Sequence, residues 1–285
     1  MRIVQRHPVA AFVVLALTLS WAAWLPLLAQ TQGWVGAAPR RELHLLGSLG
    51  PAAAAVVVVG CTRGVSGLAD LGRRLTAWRG RRAAWVFALL VPVVLLVVTV
   101  PLAAWAAGTA PDDVEWTAFG RSTEFAGMPL VAYWLANLVF FGAGEEVGWR
   151  GFLQPRLERR HARVTAAGLV GLVWAAWHLP LFGITPSYRA MPLVGFVGFA
   201  MSIWVASWIF AWLLHLGRGS LLVVAVFHAW FDVATNSPVG VPGLPTAMGA
   251  AVTVLGLWVL RRLLRSAGPD AGRQDPADLS GADRP

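Results

Sequence analysis

Long apolar runs recur along this chain, most of them close to the roughly 20 residues that a helix needs to cross a bilayer. They lie at 8–29, 45–61, 84–107, 129–145, 164–183, 192–214, 220–236 and 246–264. Hydrophobic residues make up 57% of the 285 positions and charged residues only 13%. A soluble domain needs polar cover over most of its surface, so lipid is the solvent this composition points to. The expected fold is all-α, a polytopic transmembrane bundle of about eight helices. It forms a single integral-membrane domain over 1–265, with its core motifs in 130–236. The first run is longer than the apolar part of a cleaved signal peptide, roughly 7–15 residues, and reads as a retained helix. Residues 266–285 are rich in Asp, Pro, Gly and Ala and read as a disordered cytoplasmic tail.

Charge placement orients the bundle. All 23 basic residues are Arg and the net charge is +9, but these residues follow topology and do not imply a nucleic-acid partner. Arg63, Arg73, Arg74, Arg79, Arg81 and Arg82 share the connection 62–83 with one acid, Asp70. Arg150, Arg156, Arg159, Arg160 and Arg163 follow the fourth run, and Arg261, Arg262 and Arg265 close the eighth. The connection 108–128 carries Asp112, Asp113, Glu115 and Glu124 against Arg121. Arg-rich connections face the cytoplasm. Eight crossings with both termini cytoplasmic put all three Arg clusters on that side, with Arg40 and Arg41 the exception. A multi-pass protein of the plasma membrane is expected. Leu68, Leu71, Leu75 and Trp78 fit an amphipathic helix at the interface, and an ordinary basic loop fits as well. The single cysteine, Cys61, excludes an intrachain disulfide and reads as a small residue at a helix end.

Ionisable groups at membrane depth are costly and mark function. Of 14 acids, only Glu145, Glu146 and Asp232 fall within or at the edge of an apolar run. Glu146 and Arg150 are four apart and share a helix face. Glu145 is rotated about 100° away, so one carboxylate reads as structural and the other as free. A carboxylate in an apolar cavity suits a general base. His178 sits near the end of the fifth run, just before Pro180, which ends or kinks the helix. His228 and Asp232 share a face of the seventh run. Asp232 there either orients the His228 imidazole or joins it as a metal ligand. His215 reads as interfacial. Brought together inside a bundle, Glu145, His178, His228 and Asp232 form a set that activates water.

The segments Glu145-Glu146-x-x-x-Arg150, Trp174-x-x-x-His178 and His228-x-x-x-Asp232 stand in this order on three apolar runs. This pattern resembles the CPBP family of intramembrane proteases, which includes CAAX prenyl endopeptidases of the Rce1 type and bacterial Abi proteins. The family motifs are EExxxR, FxxxH and HxxxN or HxxxD. Trp174 replaces the usual Phe, a mild departure. Asp232 stands where Asn is frequent, and an ionised Asp cannot donate a hydrogen bond, which leaves position 232 as His orienter or oxyanion partner. The resemblance implies hydrolysis of peptide bonds of a membrane-associated protein or peptide by glutamate-activated water. It implies Glu145 and His178 on the water, His228 and Asp232 on the oxyanion side, and Glu146 and Arg150 in support. No cofactor is called for. Zinc on Glu145, His178 and His228 is the alternative, disfavoured by the lack of an HExxH signature. Two other readings are a non-catalytic membrane immunity or scaffold protein and a proton-coupled carrier. The carrier lacks paired broken helices in matching halves.

Overall fold

The computed structural model describes residues 2–38 and 40–266, and the tail expected to be disordered lies outside them, apart from Ser266, the last residue of the final helix. Among the described residues the fold is helical with no strand. Each of the eight apolar runs falls on helix. We label them α1 (Pro8–Thr31), α2 (Gly50–Leu75), α3 (Arg82–Ala107), α4 (130–158), α5 (Arg163–Trp177), α6 (Leu193–Leu216), α7 (Leu221–Asn236) and α8 (Leu244–Ser266). Among the described residues, six helical spans are long and apolar enough to cross a membrane. The other two are α7, which is only 16 residues long, and α4, which carries charge midway. The protein is a multi-pass membrane protein.

The order of connections alternates between two ends. At one end Gln32 Nε2 donates to the Gly183 carbonyl at 2.7 Å and the Glu115 N–H to the Val239 carbonyl at 3.0 Å. There too His44, on the short helix Glu42–Ser48, meets Glu124 of the acidic connection at 2.8 Å. At the other end the Ser220 hydroxyl donates to the Ala77 carbonyl, and His215 faces Glu158 at 2.9 Å. The Arg clusters gather at this second end. Of the two readings of 62–83, helix holds as far as Leu75, as the continuation of α2, which bends at Gly64 (φ 61°, ψ −153°), and a loop follows. That left-handed φ is open to glycine without steric cost. Leu71 is buried and Trp78, beyond the helix, is exposed.

The helix α4 departs from expectation. The sequence places its end at 145, but the helix continues to Glu158. It is built of five pieces: Leu130–Ala136, π-helical Asn137–Ala143, α-helical Gly144–Gly148, π-helical Trp149–Leu153, and Gln154–Glu158. The acidic pair and Arg150 therefore sit midway along a continuous rod. Hydropathy stops at the charges, whereas the helix passes through them because they neutralise one another inside it.

Close backbone approaches seat this rod. A Cβ on Gly142 would come within 2.5 Å of the Ala225 carbonyl oxygen on α7. One on Gly148 would lie 2.7 Å from the Pro51 carbonyl on α2. Two hydrogen atoms in place of methyls thus let α4 touch both neighbours. Around it α6 packs on α5 and α8, α1 on α2, and α7 on α3 and α4. The core beside the rod is aromatic. Phe12 stacks on Phe152 at 4.7 Å between ring centroids, and Trp149 meets Trp177 edge-on at 6.0 Å. Gly148→Ala is expected to lower the melting temperature in detergent, by an overpacking cost of about 1–3 kcal/mol. Gly72→Ala, on α2 with open space around it, is expected to cause no loss in the same melt.

Candidate active site

The site begins with the two π-helical turns of α4. A π turn widens the backbone bond to i→i+5 and leaves a carbonyl over. At the lower turn Pro155 has no N–H to give back to the preceding carbonyls, and Arg74 of α2 collects two of them. Its NH1 donates to Gly151 O at 3.2 Å and NH2 to Arg150 O at 3.4 Å, while Nε reaches Gly219 O at 3.0 Å. The short α turn Gly144–Gly148 held between the π turns presents the two glutamates in different directions.

Glu146 turns to Arg150 and α7. Its Oε1 accepts from Arg150 NH1 at 3.0 Å and from His228 Nδ1 at 2.9 Å. Both Glu146 and Arg150 are 0% exposed. The guanidinium lies between two rings, 4.5 Å from the centroids of Trp174 and Phe210. Its NH2 donates to the Ser207 hydroxyl at 3.2 Å, and that hydroxyl donates to the Ala167 carbonyl at 2.8 Å. Among the described residues the buried Glu146 Oε2 has no hydrogen-bond partner, so charge is balanced through one oxygen.

Glu145 turns to α5. Its Oε2 accepts from the Trp174 indole N–H at 2.8 Å. Among the described residues its Oε1 has no hydrogen-bond partner, and the residue is 3% exposed.

His178 ends α5. Pro180 lacks an N–H and starts the 3₁₀ turn Leu179–Gly183. The last helical bond shortens accordingly, so the His178 N–H goes to Ala175 O at 3.2 Å. That frees the Trp174 carbonyl, which accepts from the His178 ring Nδ1 at 2.8 Å. The Nδ1–H tautomer is fixed by that bond, leaving Nε2 with its lone pair among the rings of Trp177 and Phe199.

His228 lies between two carboxylates. With Nδ1 on Glu146, its Nε2 stands 3.6 Å from Asp232 Oδ2. That separation is an ion-pair approach and too long for a hydrogen bond. Asp232 is the more accessible partner, with its side chain 27% exposed. The rings of Trp174 and Phe210 hold the imidazole edge-on at 5.4 and 5.2 Å.

The residues singled out in the sequence are thus joined into one cluster, with differences. His228 is bonded to Glu146, a link between helices that spacing along one helix does not disclose. Trp174 is a hydrogen-bond donor to Glu145, so its place in the second motif is more than a mild change from Phe. Ser207, Phe210 and Arg74 carry no motif. Ser207 stands out only as a hydroxyl inside the apolar run Trp204-Val205-Ala206-Ser207-Trp208. Among the described residues no three His, Cys, Asp or Glu side chains are grouped to hold a metal ion, so Glu145, His178 and His228 are not assembled as a ligand set.

Residues 127–234 match the family model of the Type II CAAX prenyl endopeptidase Rce1-like proteins. A curated relative, CAAX prenyl protease 2 of Methanococcus maripaludis, is 30% identical over 114 residues, 39% of this chain. The chain matches 40% of that relative's length. The matched segment runs from just before α4 to α7 and contains every side chain of the cluster except Arg74. The helices α1 to α3 and α8 lie outside it.

Arg150→Ala is expected to destabilise the protein by about 3–5 kcal/mol, because it leaves the Glu146 carboxylate buried and unpaired. Arg150→Lys is expected to restore little, since an ammonium cannot lie flat between two rings and donate on two sides. Thermal melting of the purified variants in detergent measures both.

Proposed function

We propose that the protein is an intramembrane endopeptidase that cleaves a membrane-associated protein or peptide by a glutamate-activated water. The observation that carries this reading is the division of the two adjacent carboxylates. Glu146 is tied to Arg150 and His228, whereas Glu145 keeps one oxygen free. The match to Rce1-like proteins over the same segment supports a peptidase, and the relative's name supports a CAAX-type substrate.

The steps follow from the donors and acceptors. Water enters between Glu145 Oε1 and His178 Nε2. Glu145 takes one proton as the water oxygen attacks the scissile carbonyl carbon. Negative charge then develops on the former carbonyl oxygen. His228, anchored at Nδ1, donates from Nε2–H to that oxygen when protonated, and Asp232 balances the imidazolium. The tetrahedral intermediate collapses as Glu145 returns its proton to the leaving amine. Glu146 and Arg150 fix the α4 turn and the orientation of the His228 ring throughout. This reading treats 1–265 as one membrane domain. It places the Arg-rich end and both termini in the cytoplasm of a plasma-membrane protein.

Glu145→Gln is expected to abolish cleavage of a quenched fluorescent peptide bearing a prenylated C-terminal CAAX sequence, while the protein stays folded. His178→Ala is expected to lower turnover by roughly 10²–10⁴. Turnover of the glutamine variant at the parent rate overturns the mechanism.

A further inference from the structure

Both atoms proposed to hold the water depend on one residue. The Trp174 indole N–H holds Glu145 Oε2 at 2.8 Å. The Trp174 carbonyl holds His178 Nδ1 at 2.8 Å. Anchoring one carboxylate oxygen fixes the plane in which the other lies, so the indole sets where Glu145 Oε1 points. Bonding Nδ1 fixes the tautomer, so the carbonyl sets His178 Nε2 as the lone-pair nitrogen. A side chain at 4% exposure that also covers the Arg150 guanidinium at 4.5 Å has no freedom to swing away.

We propose that Trp174 is a positioning residue that aims Glu145 and His178 at one water, acting on the first through its indole N–H and on the second through its backbone carbonyl. The proposal rests on the reading of Glu145 as the water-activating base. Phe, usual at this motif position, keeps the ring and the carbonyl but has no N–H to give Glu145. Aiming of the base by the indole is therefore a property of this chain's own side chain, added to the carbonyl bond that any residue supplies. Correct aim acts on the reaction step more than on substrate capture, because a displaced base costs attack geometry while the peptide-binding surface is untouched.

The test removes the N–H alone. Benzothienylalanine at position 174 keeps the bicyclic shape and puts sulfur in place of the N–H; Trp174→Phe is the second variant. With the prenylated CAAX peptide as probe, both are expected to lose roughly ten- to hundredfold in kcat, the size of a hydrogen bond to a charged group. KM is expected to stay within about twofold, and the analogue to melt at the parent temperature. A kcat equal to the parent's in both variants overturns the proposal. So does a loss of kcat that appears only together with a lowered melting temperature, since packing alone then explains it. Glu145→Gln run alongside separates the two failures. If it is inactive while the Trp174 variants are fully active, only the positioning role falls. If it turns over normally, the base and its positioning fall together.

Discussion

A carboxylate and a guanidinium, both wholly buried halfway along a membrane helix, depend on each other to stay there. The Glu146–Arg150 contact at 3.0 Å is the constraint around which the rest of the core is arranged. An isolated charge at that depth is prohibitively costly, and even a paired one needs its remaining donors and acceptors met. The bundle brings partners to the pair from three other helices, although Glu146 Oε2 and Arg150 Nε stay without one among the described residues. Ser207 and Phe210 come from α6, Trp174 from α5 and His228 from α7. The helices that bring polar or aromatic groups to this pair are the ones that bring the reactive groups together. Balancing the pair and building the site are therefore one structural act.

The backbone of α4 makes that possible. A uniform α-helix of this sequence would place Glu145 and Glu146 at fixed angles to every neighbour. Two π turns flanking Gly144–Gly148 loosen that register and let the acids address different helices. The leftover carbonyls of the lower turn fall to Arg74, and the glycines at 142 and 148 remove the side chains that would hold α7 and α2 away. At the other wall Pro180 performs a similar service. By ending α5 early it frees the Trp174 carbonyl that fixes His178.

Much of this was legible in the sequence, for identifiable reasons. Apolar length located the eight helical segments, and the i, i+4 rule put Glu146 beside Arg150 and His228 beside Asp232. What escaped were contacts between helices and changes of helical register. Spacing tied His228 to Asp232, yet its shorter bond, at 2.9 Å, goes to Glu146 on another helix. Hydropathy ended the fourth segment at 145 because it scores Arg150 as a charge, without knowing that the charge is neutralised in place. Residue type alone made Trp174 a large aromatic standing in for Phe; its N–H acquired meaning only with Glu145 opposite it. Nor does spacing disclose His44, which is buried among aromatic rings against Glu124, a contact between segments 80 residues apart.

The account rests on two neighbouring glutamates doing different work, one for stability and one for chemistry. Thermal melting of Glu145→Gln and Glu146→Gln side by side in the same detergent tests this most directly. Loss of the Glu146 charge strands Arg150 and is predicted to lower the melting temperature by many degrees. Loss of the Glu145 charge removes a poorly paired group and is predicted to leave the melt unchanged or to raise it, as happens when a site gives up function for stability. Equal losses in the two variants, or a larger loss at Glu145, would contradict the division on which the site is built.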